Sequence, residues 1–138
     1  GVIWHPTQKE VYQYLKEYFK REQVIFRGFC VFEEGVNPRT DTNTLTTADL
    51  TWLGFPKPEK IEDFTSIKFD ILLNLGLKQN LVLDTIMLLS KAQFKVGCSS
   101  NENNFFDLNI NIGQKQDAMY LAKQQIFYLA QLNKTTKQ

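Results

Sequence analysis

The chain has 138 residues, 43% of them hydrophobic and 22% charged, which is enough to bury one core beneath a charged surface. Its 16 Lys and Arg residues stand against 15 Asp and Glu residues, so the net charge is +1 and gives none of the basic excess that phosphate contacts require. No apolar run reaches the ~18 residues of a membrane-spanning helix. We therefore expect neither nucleic acid nor a membrane as a partner.

One α/β domain is expected over residues 1–138, because no repeat or low-complexity linker divides the chain. The two cysteines, Cys30 and Cys98, lie far apart in a chain that can build its core without disulfides. We expect both to be reduced thiols and the protein to be cytoplasmic. The chain starts without Met, and Val2–Trp4 is typical of the middle of a strand, so we expect the full-length protein to have a further N-terminal segment.

The first predicted elements are a short strand, a turn and a helix. The apolar run Val2–Trp4 stops at Pro6, and Thr7 and Glu10 fit a capping box, in which each side chain satisfies a backbone N–H of the first helical turn. The following residues, up to position 21, carry apolar side chains at helical spacing. Strand, turn and amphipathic helix are the opening of a βαβ unit.

The second strand is predicted at residues 24–32, which are rich in β-branched and aromatic side chains. Gly28 within it indicates a bulge or a close approach of the backbone to another group. Residues 33–43 have the composition of a loop. A short strand is expected around Leu50, Thr51 and Trp52, followed by one or two helical turns at 59–64. Trp52 is the aromatic residue least typical of a core, and is a candidate for an interface.

The second half continues the alternation of strands and helices. Residues 69–75 are almost continuously apolar, as expected for a central parallel strand that is covered on both faces. Asn80 is predicted to cap a well-buried helix at 81–91. A short strand at 94–96, an edge strand at 105–112 and an amphipathic helix at 115–132 complete the chain.

This order of elements predicts an α/β three-layer sandwich with a mostly parallel, Rossmann-like or flavodoxin-like sheet of about five strands. The strand Val2–Trp4 is expected to lie parallel to residues 69–75, with residues 24–32 on its other side. Continuous apolar runs need cover on both faces, which places them at the centre of the sheet.

Three stretches, at 49–54, 69–75 and 90–97, resemble a family of uncharacterised bacterial proteins, mainly from the Bacteroidetes group, that is classed as a domain of unknown function. The sharpest likeness is the run Lys91-Ala92-Gln93-Phe94-Lys95-Val96-Gly97. This resemblance implies an α/β fold and a cytosolic setting, and it implies no activity.

A weaker likeness concerns the order of elements alone. A strand, a buried helix and a short strand closing on glycine are similar to the N-terminal half of heptosyltransferase-type glycosyltransferases. This is an analogy of fold, because the chain shows no second Rossmann-like half of the kind that holds the sugar nucleotide in those enzymes.

The candidate ligand crevice lies at the carboxyl ends of the central strands, where ligands bind to open parallel sheets. His5 and Thr7 follow the first strand, and Asn74 and Gly76 end the strand at 69–75, so these four residues are expected to surround the crevice. Backbone N–H groups at the start of the Thr7 helix would then bind an anion. The structural alternative is that His5 only ends the strand and Thr7 only caps the helix.

Cys98 and Ser99 follow another strand end and complete the set of candidate residues. Cys98 would act as a nucleophile only if a base or a cation lowered its pKa, and His5 is the single histidine of the chain. No residue can be assigned a catalytic role on this basis. We expect His5 to have no catalytic partner among Asn74, Cys98 and Ser99.

Cofactor and metal sites are not expected. The first turn, His5-Pro6-Thr7-Gln8, has neither the glycine-rich dinucleotide motif nor a P-loop. One histidine, no Cys-x-x-Cys pair and no carboxylates at ligand spacing argue against a metal.

Two functions therefore remain open. The first is a non-enzymatic or enzyme-derived domain that acts through a protein partner or by self-association as a homo-oligomer. The alternative is a small-molecule-binding or transferase-like enzyme that uses the crevice near His5 and Asn74. An open pocket with convergent polar groups would favour the second function, and a filled crevice with an exposed apolar patch would favour the first.

Overall fold

A computed structural model gives the structure of the chain and describes residues 1–31, 44–78, 80–99 and 104–136. The described elements follow the order β-α-β-β-α-β-α-β-β-α, and a single 3-10 turn follows each of two strands, at Pro6–Gln8 and Thr47–Asp49. The elements are β1 (Val2–Trp4), α1 (Lys9–Arg21), β2 (Gly28–Val31), β3 (Thr44–Leu45), α2 (Pro58–Thr65), β4 (Ile71–Asn74), α3 (Leu81–Leu89), β5 (Phe94–Gly97), β6 (Leu108–Asn109) and α4 (Ala118–Thr136).

The strands form one sheet in the order β3-β2-β1-β4-β5-β6, and each neighbouring pair is parallel. The predictions of a parallel α/β sandwich and of β1 between β2 and β4 are confirmed. Ile3 at the centre of β1 lies opposite Phe29 on one side and Asn74 on the other. The sheet has six strands rather than about five, because each of its two edges is formed by a strand of only two residues.

Two apolar cores lie on the two faces of the sheet. Alternate residues of β4 point to opposite faces, so Leu72 and Leu73 are both buried, in different cores. Helices α1 and α4 pack together over the face of Leu73, and α2 and α3 pack together over the face of Leu72. This double cover explains why residues 69–75 are apolar almost throughout.

The second strand begins at Gly28, four positions later than the predicted start. The first residue of the predicted strand belongs instead to the C-terminal cap of α1. The N–H of Val24 donates to the carbonyl of Phe19 (2.9 Å), and Gln23 adopts the left-handed conformation (φ 58°). This is the Schellman motif that ends many helices, and it leaves Val24 half exposed. The predicted close approach at Gly28 is confirmed, since a Cβ there would overlap the ring of Tyr12.

Two further predictions are wrong in detail. The short strand expected at Leu50 and Trp52 is a tight turn, closed by an isolated bridge between Leu50 and Pro56, and the strand of this region is β3 instead. The helix at 81–91 ends at Leu89 and is less buried than expected, because only its side facing the sheet is covered and Leu88 is 57% exposed. The predicted loop at 33–43 and the end of the predicted second strand, Phe32, lie outside the described residues.

Candidate functional site

A crevice of about 560 Å³ opens at the carboxyl ends of β1 and β4, where the strand order reverses. Its walls come from β1, β2, β4, the turn at Thr47–Asp49 and the start of α3. The apolar part of the wall includes Ile3, Val31, Leu50 and Val82. The polar part consists of His5, Gln8, Thr47, Asn74, Lys78 and Asn80.

The turn after β1 is capped by His5 and not, as predicted, by Thr7. The ring nitrogen Nδ1 of His5 accepts a hydrogen bond from the backbone N–H of Thr7 (3.2 Å) and lies 2.8 Å from the Thr7 hydroxyl. Pro6 takes the first position of the 3-10 turn, which shifts the cap toward the N-terminus from the predicted pair. The capping box is therefore made by His5 and Gln8 rather than by Thr7 and Glu10.

Gln8 also joins β1 to β4 at the edge of the crevice. Its side-chain oxygen accepts from the backbone N–H of His5 (3.0 Å), and its side-chain nitrogen donates to the carbonyl of Leu75 (2.9 Å). The last backbone bond before this point runs from the N–H of Leu75 to the carbonyl of Ile3 (3.1 Å). The amide of Gln8 thus takes the place of a peptide group between two strands that separate where the crevice opens.

A second glutamine also bonds to the end of β4. Gln125 of α4 is fully buried, and its side-chain nitrogen donates to the backbone carbonyl of Asn74 (3.0 Å). The side-chain oxygen of Asn74 accepts from the N–H of Gly76 (2.8 Å), which fixes the turn that follows β4. Neither glutamine was among the candidates from the sequence. The signal for Gln125 is its place on the apolar stripe of α4, between Ala122 and Ile126.

The wall opposite β1 begins at Asn80, the N-cap of α3. Its side-chain oxygen accepts from the N–H groups of Val82 (2.8 Å) and Leu83 (3.3 Å), which confirms the predicted cap. Lys78, an exposed residue just before the cap, lines this crevice and the two smaller openings beside it. The start of a helix, with the positive end of its dipole, therefore faces the crevice.

The structure brings together three of the six candidate residues, His5, Asn74 and Gly76. Thr7 is exposed and lines a separate hollow between the starts of α1 and α4. Cys98 and Ser99 line another hollow beside β6, where the side chain of Asn109 bonds both the N–H and the carbonyl of Ser99. Only a narrow cleft of about 10 Å³, roughly the limit for one water molecule, connects Cys98 and Ser99 with Asn74.

The chemistry of Cys98 does not favour nucleophilic attack. Burial raises the pKa of its thiol, and a hydrogen bond with the backbone of Ile112 opposes this only in part. A thiol with a raised pKa is protonated near neutral pH and reacts slowly. Both cysteines lie in the described part of the chain, and neither forms a disulfide there.

Within the described ranges, no three His, Cys, Asp or Glu side chains are grouped so that they could hold a metal ion. No helix in the same part of the chain combines the length and apolar character that crossing a membrane requires.

Fold and crevice together define a parallel α/β domain of the Rossmann-like class with an open cleft at its switch point. Residues 1–132 match the model of a protein family, described as "Family of unknown function (DUF6913)", and the chain belongs to this family. No curated protein and no solved structure matches the chain. The expectation of membership in a domain-of-unknown-function family is confirmed.

Proposed function

We propose that this domain binds a small molecule in the crevice between β1 and β4. The observation that carries the proposal is that the crevice is open rather than filled by side chains. Its volume of about 560 Å³ falls within the range of about 300–1,000 Å³ that is usual for ligand pockets. Apolar side chains form most of such pockets, and a few polar groups orient the ligand.

The rigidity of the crevice supports binding. Side-chain amides of Gln8 and Gln125 bond to the backbone at the end of β4, and Asn74 and Asn80 fix the turn and the helix start that follow. A wall that is already ordered loses little conformational entropy when a ligand binds. The proposal keeps the cytoplasmic setting expected from the two thiols.

Binding without catalysis fits the side chains better than a transferase-like reaction. The Nδ1 atom of His5 is engaged with Thr7, and the thiol of Cys98 has a raised pKa and lies in another hollow. A general base needs an oriented partner and a reacting group within hydrogen-bond reach. We therefore assign the domain a binding role and no reaction.

The test is a fragment screen followed by NMR spectra of the ¹⁵N-labelled chain. Bound fragments are expected to shift the resonances of the crevice, above all those of Gly76 and Val82. The substitution Thr47→Trp places a large ring at the exposed rim of the crevice and should abolish these shifts. Its matched control is Ala48→Trp, which adds the same ring at an exposed neighbour that does not line the crevice.

Two results would contradict the proposal. One is a screen in which all bound fragments shift residues outside the crevice. The other is a crevice binder whose affinity Thr47→Trp leaves unchanged.

A second function, self-association or a protein partner, is favoured by the turn at residues 51–55. Trp52 is 92% exposed and Leu53 58% exposed at its tip. Hydrogen bonds between Thr51 and Phe55 (2.7 and 3.2 Å) hold this turn, so its apolar side chains are presented by an ordered backbone. Exposed aromatic side chains on rigid turns are common at interfaces.

Light scattering after gel filtration at several protein concentrations tests this second function. Self-association should give a mass above that of the monomer at high concentration, and Trp52→Ser should restore the monomer. The control is Leu88→Ser, which removes an exposed apolar residue from α3 instead. A wild-type protein that stays monomeric throughout would rule out the homo-oligomer.

A further inference from the structure

The amide of Asn74 provides a hydrogen-bond donor at the wall of the crevice. The residue is only 3% exposed and lines the crevice. Its side-chain oxygen accepts from the N–H of Gly76, which determines the orientation of the amide group. The amide nitrogen donates no hydrogen bond to any other described residue. This donor is therefore available to an acceptor atom of a ligand in the crevice.

The charge around this donor favours an anionic acceptor. Among the described residues, the ionisable side chains that line the crevice are His5 and Lys78, and neither is acidic. Asp84 of α3 lines the adjoining narrow cleft instead. The start of α3 adds the positive end of a helix dipole on the same side as Lys78.

The remaining wall of the crevice favours a ligand with an apolar part. Ile3, Val31 and Leu50 line the crevice beside the ends of β1 and β2. An aliphatic or aromatic group placed there would be removed from water, and apolar burial contributes most of the affinity in pockets of this kind. A ligand that uses both walls carries an acidic group at one end only.

We infer that the ligand of this crevice is a small organic acid, whose carboxylate binds between Asn74 and Lys78 and whose apolar part packs against Ile3, Val31 and Leu50. This inference rests on the proposed function and specifies its ligand class. The carboxylate accepts from the Asn74 amide and pairs with the Lys78 ammonium, and charge-assisted hydrogen bonds of this kind are stronger than neutral ones.

Three probes of equal shape test it on the complete chain: 4-phenylbutyrate, 4-phenylbutyramide and 4-phenylbutylamine. NMR titrations should give an affinity for the acid about tenfold or more above that of the amide, and the weakest binding for the amine. Added salt should weaken binding of the acid and leave the amide unchanged, since only the acid is charged.

Two substitutions assign the effect to residues. Asn74→Asp keeps the acceptor for the Gly76 N–H and replaces the donor with a negatively charged oxygen. The affinity for the acid should therefore fall by about tenfold or more, and the affinity for the amide by less than about threefold. Lys78→Gln removes an exposed charge and should weaken binding of the acid but not of the amide. It tests the organic-acid inference by itself if Asn74→Asp does not fold. The control is Lys68→Gln, an exposed lysine that precedes β4 and does not line the crevice.

The outcomes separate this inference from the proposed function. If the acid and the amide bind with equal affinity and both shift crevice resonances, the inference of an organic acid is overturned. The proposal of small-molecule binding then stands. The inference of an organic acid is also overturned if Lys78→Gln binds the acid as tightly as Lys68→Gln does. The proposal of small-molecule binding would stand in that case. Failure of all three probes to shift any crevice resonance, while fragments of other chemistry do, would likewise overturn the acid alone. A crevice that binds neither probes nor fragments would overturn both.

Discussion

The side-chain amide of Gln8 bridges β1 and β4, so its removal tests directly how the crevice is held. Gln8→Ala deletes the acceptor for the His5 N–H (3.0 Å) and the donor to the Leu75 carbonyl (2.9 Å). Both bonds are partly buried. A typical hydrogen bond contributes about 1 kcal/mol net, so we expect the free energy of unfolding to fall by about 2 kcal/mol.

Two further variants separate the two bonds and the background effect of substitution. Gln8→Glu keeps an acceptor for the His5 N–H and loses the donor to Leu75, so we expect a loss of about 1 kcal/mol or somewhat more. Gln13 is an exposed glutamine in α1, the helix that begins directly after Gln8, and Gln13→Ala should stay within about 0.5 kcal/mol of the wild type.

Urea unfolding followed by far-ultraviolet circular dichroism, with linear extrapolation, measures these differences. The reasoning would be refuted if Gln8→Ala were no less stable than Gln13→Ala. It would also be refuted if Gln8→Glu matched the wild type, because the bond to Leu75 would then contribute nothing.

Three other predictions concern residues around this turn and elsewhere. His5→Ala should lower the free energy of unfolding by about 1 kcal/mol, and His5→Asn by less, because His5 is the cap. Thr7→Ala should stay within about 0.5 kcal/mol of the wild type. A larger loss of stability for Thr7→Ala than for His5→Ala in urea unfolding would contradict the observed capping box. Gln23→Gly should stabilise the protein by about 0.5–1 kcal/mol, because glycine adopts φ 58° without strain, and Gln23→Ala should give no such gain in the same assay. Because burial raises the pKa of the Cys98 thiol above its unfolded value, its contribution to stability is complete below the ordinary thiol pKa and is lost as the pH rises through the raised one. Wild type should therefore lose stability relative to Cys98→Ala above about pH 9, and a difference that is independent of pH would disprove the shift.

Local patterns were sufficient to predict much of this fold. Residues 69–75 are apolar because both faces of β4 are covered, and Asn80 caps α3 through contacts only two and three residues away. The place of the crevice follows from the same information, because the order of strands and helices determines where a parallel sheet reverses. His5, Asn74 and Gly76 could therefore be assigned to one crevice from the sequence.

Contacts distant in sequence could not be predicted in this way. Gln8 reaches Leu75 across 67 positions, and Gln125 reaches Asn74 across 51 positions. Thr7, Cys98 and Ser99 lie at strand or helix ends like the residues of the crevice, and only the packing of α4 and β6 places them in other hollows. The capping box differs from the prediction because Pro6 fits the first helical position better than Thr7 fits the cap.

Two buried polar side chains meet at the end of β4. Asn74 and Gln125 are both buried, and the side-chain oxygen of Gln125 has no hydrogen-bond partner among the described residues. Leaving such a group unsatisfied costs about 1–3 kcal/mol. Departures from the simplest stable packing are expected at functional sites more than elsewhere. Asn74, whose backbone carbonyl is bonded by Gln125, also lines the crevice between β1 and β4, and this is a physical reason to look for the ligand there.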